Sequence, residues 1–164
     1  MRMITGLGLL AGLGCIGGSA LATTTAPTSF QVNLQIVANC VINSTNALNF
    51  PNSGVLVGTN VTSTTTVNVQ CTDTTPYTIG LDAGANGTIT TRKMLTTVTD
   101  GTAVVNYQLC QDALCNTNWD NASSQKGGTG NGQSQQYTIY GLIPPQNTPA
   151  PGTYVDTVNV TVTY

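Results

Sequence analysis

Apolar and polar side chains alternate in run after run of this chain. In Thr28–Cys40 the apolar positions are Phe30, Val32, Leu34 and Ile36, with Gln31, Asn33 and Gln35 between them. In Val61–Cys71, residues Val67, Val69 and Cys71 share one parity and Thr66, Asn68 and Gln70 the other. Val105, Tyr107 and Leu109 repeat the pattern. So do Tyr154, Val158, Val160, Val162 and Tyr164, set against Thr157, Asn159, Thr161 and Thr163. A period of two sends successive side chains to opposite faces of a strand, so each run carries one face built for burial. Outside the N-terminal apolar segment no helical period appears. Strands of five to ten residues with turn formers between them point to an antiparallel sandwich.

Composition narrows the function classes. Charged residues make up 6% of the chain, against about 25% in ordinary globular proteins. There is no His, and all six acidic residues are Asp. The commonest general base and metal ligand is therefore missing. A formal charge of -2 and a sequence pI of about 4.4 argue against nucleic acid, which needs clustered Lys and Arg. Thr, Asn, Ser, Gly and Val fill the space, favouring strands and turns in an exported structural protein.

The N-terminus reads as an export signal over 1–22. Arg2 supplies the positive start, Ile4–Ile16 the apolar core, and Ala20-Leu21-Ala22 the small-x-small cleavage site. The apolar run is too short to span a membrane. Gly12-Leu13-Gly14 before Cys15 makes a poor lipobox, so Cys15 is expected to leave with the signal. Four cysteines then remain: Cys40, Cys71, Cys110 and Cys115. An even count in an exported chain implies disulfides, and three pairings are possible. The five-residue spacing of Cys110 and Cys115 is most simply a small closed loop, leaving Cys40 with Cys71. No C-x-x-C spacing supports a metal site.

Along the mature chain the expected order starts with an opening strand from Thr28 to about Ile42. A turn follows at Asn43–Asn46. Short apolar pieces at Leu48–Phe50 and Val55–Val57 flank the turn or bulge Pro51–Gly54. Strands are expected over Val61–Cys71, from Pro76 through Leu81, within Thr88–Thr97, up to Cys110 from Val105, over Gln136–Ile143, and over Thr153–Tyr164. Ile89, Met94 and Leu95 are the core contacts of the Thr88–Thr97 stretch. Asp100-Gly101 is a strong turn signal. Gln111–Gln135 reads as the one long irregular stretch, with a flexible run at Ser123–Ser134, and as an exposed, variable loop. Pro144, Pro145, Pro149 and Pro151 stiffen a loop that cannot join a ladder. The last strand runs to the final residue, leaving no successor if the sandwich needs one.

No catalytic, cofactor or metal-binding set emerges. The acids Asp73, Asp82, Asp100, Asp112, Asp120 and Asp156 mostly sit in turn contexts, where Asp bonds the local backbone. There is no G-x-S-x-G and no phosphate-cradling loop. The Asn-x-Ser/Thr matches, such as Asn60-Val61-Thr62, are what chance produces in so Asn- and Thr-rich a chain. Arg92-Lys93 reads as solvated surface, and Trp119 and Tyr107 as core. What stands out is a strongly alternating strand at the start and a core-grade strand at the end. An edge with a clean apolar face invites aggregation unless it is paired deliberately, for example by strand addition between subunits.

Motifs in order over nearly the whole mature chain give this pattern a family. They are the alternating strand ahead of Cys40, Leu48-Asn49-Phe50, Val69-Gln70-Cys71-Thr72, Pro76-Tyr77-Thr78-Ile79-Gly80-Leu81, Arg92-Lys93-Met94, and Tyr107-Gln108-Leu109 with Asp112. The ending is the most specific: Tyr140-Gly141-x-Ile143-Pro144, Pro151-Gly152-Thr153-Tyr154-x-Asp156-Thr157-Val158, and Val160-x-Val162-x-Tyr164. The chain resembles the spore coat U domain proteins, which include the major pilins of archaic chaperone–usher pili. Pro51 stands where the family usually has Gly, and Cys110 where it has Tyr.

The resemblance implies an all-β fold, an incomplete immunoglobulin-like antiparallel sandwich lacking its final strand and completed by donor-strand exchange. It divides the mature chain into a donor segment, 23–36, and a pilin domain, 37–164. Phe30, Val32, Leu34 and Ile36 would be the donor pegs. Tyr154, Val158, Val160, Val162 and Tyr164 would form part of the acceptor groove. The implied partners are neighbouring pilin subunits, a periplasmic chaperone and an outer-membrane usher. The implied place is a cell-surface pilus used in attachment and biofilm formation. The alternatives are a monomeric binding module or tip adhesin, and a coat or matrix protein.

Overall fold

The computed structural model describes residues 22–98 and 101–164. The expected export signal and Asp100 of the expected Asp100-Gly101 turn lie outside them, apart from Ala22. The chain divides into two units, Met1–Gln35 and Ile36–Tyr164. The described part of the first is exposed and forms no strand.

The second unit is an immunoglobulin-like antiparallel sandwich. Its larger sheet runs in the order β1 (Cys40–Thr45), β2 (Val61–Cys71), β7 (Ser134–Ile143), β5 (Val104–Cys110), β4 (Arg92–Thr96), β8 (Tyr154–Val155). Its smaller sheet is β6 (Lys126–Thr129), β3 (Pro76–Leu81), β9 (Val160–Thr163). The alternating positions do what their period requires. Val67, Val69 and Cys71 of β2, Tyr77, Ile79 and Leu81 of β3, and Val105, Tyr107 and Leu109 of β5 are all buried in one core. Trp119 joins them, its indole Nε1 donating to Ile79 O at 2.8 Å. Two disulfides join Cys40 to Cys71 and Cys110 to Cys115.

Several sequence expectations give way. The opening strand begins at Cys40, not Thr28, and continues through the expected Asn43–Asn46 turn as far as Thr45. Its register shifts between Ile42 and Ser44, so Asn43 is a bulge that lets the strand go on rather than a turn that ends it. Within Gln111–Gln135, Lys126–Thr129 is a strand, paired to Pro76–Ile79. The last strand divides in two. Tyr154–Val155 pairs with β4, then the chain crosses to the other sheet, where Val160–Thr163 pairs with β3.

Arg92 is the largest correction. It is fully buried rather than solvated. Its Nε donates to Asp82 O at 2.8 Å, and its Nη2 to Leu81 O at 3.1 Å and Trp119 O at 2.8 Å. Nη1 reaches Ile89 O and Asn118 Oδ1. The planar fork of donors suits a cluster of carbonyls that no strand partner serves.

Candidate functional site

The site begins with two ladders that stop. β1 pairs with β2 on one side, and β9 pairs with β3 on one side. Neither has a strand on its other edge among the described residues. The edges come together at one end, where Tyr164 Oη lies 3.2 Å from Asn39 Oδ1. Towards the other end they part, and a groove of about 460 Å³ opens. One wall is Thr45–Phe50, the chain leaving β1. The other is Tyr154–Val158 with Val160, the crossing between sheets. The floor is the core itself: Leu81, Met94, Tyr107, Leu109 and Ile139.

Local chemistry holds each wall. Leu48 and Phe50 turn inward over Gly141, where a Cβ would lie within 2.9 Å of both side chains. A glycine there lets the wall settle on β7. Asn49 O accepts from Ser63 Oγ at 2.6 Å and Asn46 O from Thr65 Oγ1 at 2.7 Å, so hydroxyls of β2 take up carbonyls that lack a ladder.

The opposite wall hangs on two carboxylates. Asp156 Oδ2 accepts from Tyr107 Oη at 2.7 Å, and its Oδ1 accepts from the N–H groups of Ala85 and Thr157 at 2.9 Å. Asp82 Oδ1 accepts from Gly84 N at 3.0 Å and Asn159 N at 2.9 Å, and its Oδ2 from Asn159 Nδ2 at 2.6 Å. Burial works against the ionised form of Asp82. The Asn159 and Gly84 bonds, with Arg92 nearby, outweigh it and hold the carboxyl below its ordinary range. Burial, with the bond to Asp156, pushes the Tyr107 phenol up.

The groove is thus walled by backbone without strand partners and floored by apolar side chains. Among the described residues, no three His, Cys, Asp or Glu side chains are grouped to hold a metal ion.

A family model, the Spore Coat Protein U domain, matches residues 26–161. The chain belongs to this family. In fold it is similar to a chain of the CsuC–CsuE chaperone–tip adhesion subunit pre-assembly complex from archaic chaperone–usher Csu pili of Acinetobacter baumannii. The TM-score is 0.60 at 21% identity, over 79% of this chain and 40% of that one. The chain thus spans less than half the length of that relative. No curated protein matches it in sequence.

The residues singled out from this family member's sequence fall into separate places. Tyr154, Val158 and Val160 line the groove. Val162 packs partly against the core but does not line it, and Tyr164 is largely exposed, held at Asn39 where the edges meet. Phe30, Val32, Leu34 and Ile36 are 77–88% exposed and belong to no strand. Sequence reasoning missed the Thr45–Phe50 wall and the carboxylate supports. Leu48 and Phe50 were visible as an apolar pair, but Asp82 and Asp156 looked like any turn Asp.

Proposed function

We propose that the chain is a structural subunit of a chaperone–usher pilus. Segment Phe30–Ile36 of one subunit fills the groove of the next, placing a strand between β1 and β9. One observation carries the reading: the molecule has both an open-edged groove with an apolar floor and an exposed segment whose alternate residues are apolar. Membership of the Spore Coat Protein U family and the likeness to a chain of a chaperone–usher pilus complex support it. Burying Phe30, Val32, Leu34 and Ile36 contributes about 6–12 kcal/mol gross. Each ladder bond adds about 1 kcal/mol. Ordering the segment opposes part of this. A periplasmic chaperone would fill the groove first, and an outer-membrane usher would exchange it for the next subunit. The polymer would then stand on the cell surface for attachment and biofilm formation. This role is mechanical and uses no catalytic group.

The test is a chain lacking Thr23–Ile36, and a full-length Leu34→Asp variant, expressed with chaperone and usher. Both should bind chaperone, and neither should donate to a neighbour. Fibres from either variant at the wild-type level would overturn the reading. The likeness to a chain of a complex containing a tip adhesion subunit favours a second role, at the fibre end. Immunogold labelling separates the two: a repeated subunit decorates the whole fibre, a tip subunit only its end.

A further inference from the structure

The groove wall from Tyr154 to Val160 is not part of one continuous strand. It leaves β8 on one sheet and enters β9 on the other, and the four residues between, Asp156–Asn159, belong to no strand. What fixes the start of β9 is Asp82, the residue after β3. Leu81 pairs with Val160, so Asp82 stands opposite Asn159 one step on. There the backbone bond from Asp82 N to Asn159 O, at 3.1 Å, is joined by the two carboxylate bonds from Asn159 N and Nδ2. Gly84 N shares the same carboxylate oxygen as Asn159 N.

The arrangement depends on charge. As a carboxylate, Asp82 only accepts, and every atom facing it donates. Neutralised, one oxygen becomes an O–H donor, and the Asn159 Nδ2 at 2.6 Å is also a donor. Turning the Asn159 amide over would restore a partner but not the charge, and charge-assisted bonds are about twice as strong as neutral ones. The other charged or titratable groups around the cluster are Arg92 from β4, Tyr107 from β5, Asp120 after Trp119, and Asp156 in the crossing. Arg92 is pinned to the carbonyls of Asp82, Leu81 and Trp119, so its charge stays beneath the clamp at all working pH values.

We propose that Asp82 is a positioning residue for the groove: ionised, it clamps Asn159 and the start of β9, and acid releases the wall so that the groove no longer holds a strand. This rests on the reading of the groove as a strand acceptor, and it adds a regulation of that site. Assembly would proceed at neutral pH, and unfilled subunits in acid would be poor acceptors.

The experiment follows capture of a labelled peptide of Thr28–Ile36 by the full exported chain between pH 7 and pH 2. Trp119 emission is read in the same samples to report that the core is intact. The wild type should lose affinity several-fold by the acid end of the range, with native Trp119 emission. Asp82→Asn, which cannot titrate, should give a flat profile at the level the wild type reaches in acid. A wild-type profile that does not change with pH, or an Asp82→Asn profile that keeps the wild-type fall, overturns the proposal. If the wild type at pH 7 captures no peptide, the strand-acceptor reading itself fails. Amide hydrogen exchange then judges the clamp separately. Protection at Asn159 and Gly84, corrected for intrinsic rates, should fall in acid in the wild type and stay constant with pH in Asp82→Asn. Unchanged wild-type protection in acid would sink the clamp too.

Discussion

Gln146 serves as a strand residue for Asn106 without being in a strand. Its Oε1 accepts from Asn106 N at 3.0 Å and its Nε2 donates to Asn106 O at 2.9 Å. The β5–β7 register explains why. Gln108 pairs with Leu142, and two steps on Asn106 would face Pro144, which has no N–H to give. The Gln146 side chain replaces the missing backbone pair, and its own N–H is held by Leu56 O at 2.8 Å.

Gln146→Ala should therefore destabilise the domain by about 2 kcal/mol, since two net hydrogen bonds are lost at about 1 kcal/mol each. Gln146→Glu keeps the acceptor for Asn106 N but sets a carboxylate against Asn106 O, and should be no better than Ala. Urea unfolding followed by Trp119 fluorescence checks both. Midpoints within error of wild type would mean that solvent replaces the surrogate pair.

Arg92 is the second such substitute and a larger one. Replacing it with Leu leaves the carbonyls of Asp82, Leu81 and Trp119 buried without donors, at about 1–3 kcal/mol each. A loss above about 3 kcal/mol is expected. Arg92→Lys should recover little of it, because a single ammonium cannot span acceptors set around a planar fork. Soluble yield and urea midpoints of the two variants measure this. A Lys variant as stable as wild type would show that charge, and not the fork, is what the site needs.

The parts of the fold that were legible in the sequence are those where periodicity and burial agree. Val67 and Val69, Ile79 and Leu81, and Tyr107 and Leu109 lie in the core because each strand offers one apolar face to it. The parts that were not legible are those where tertiary contacts override local signals. Lys126-Gly127-Gly128-Thr129 looks like a flexible run. Yet a Cβ on Gly128 would lie 2.6 Å from Tyr77 Cζ and closer still to Tyr137 Oη, so the glycine is what lets this edge strand approach two rings. Arg92 looked solvated because nothing local shows that three distant carbonyls converge on it. Tyr154–Tyr164 alternates except at Val155-Asp156, and that short break does not reveal that Asp156 and Asn159 are tied to Tyr107 and Asp82 and turn the chain from one sheet to the other. Of the residues lining the groove, Tyr154, Val158 and Val160 are singled out for it by the family resemblance, whereas Thr45–Phe50 carries little periodicity and is not.

Stability should fall at both ends of the pH range. Asp82 and Asp120 are buried enough to disfavour charge, yet bonds from Asn159 and Gly84 to the first, and from Ser124 and Ala122 to the second, hold both carboxyls low. The N–H groups of Asn116 and Thr117 do the same for Asp112. A depressed folded-state value means stability that is complete above the ordinary carboxylate range, near 4, and lost as pH falls below it. The phenols of Tyr77 and Tyr107 are raised by burial, with further help from Tyr137 and Asp156 respectively. Their contribution is complete below the ordinary phenol value, near 10, and lost as pH rises above it. Urea midpoints measured from pH 2 to 12 should form a plateau between about pH 5 and 9, falling on both sides. Ultraviolet titration should show two of the tyrosines ionising only with unfolding. Midpoints that stay level down to pH 3 would contradict the carboxylate assignments.

The two disulfides should differ in weight. Cys40 and Cys71 face each other in the β1–β2 register and close a separation of 31 residues, whereas Cys110 and Cys115 close one of 5. On the chain-entropy account the first contributes about 3–4 kcal/mol and the second about 2. They also guard different things. Cys40 is the first residue of β1, and β1 is an edge strand bordering the groove, held to the sheet from one side. Thr72 N bonds Asn39 O at 2.9 Å just beyond the bridge, so the staple and the ladder reinforce each other at that end. Replacing Cys40 and Cys71 together by Ala should lower the urea midpoint more than replacing Cys110 and Cys115. It should also raise hydrogen exchange across Val41–Thr45, while β3 and β5 stay protected. Equal losses for the two pairs, or fraying confined to the Asp112 loop, would show that β1 is held by its ladder alone.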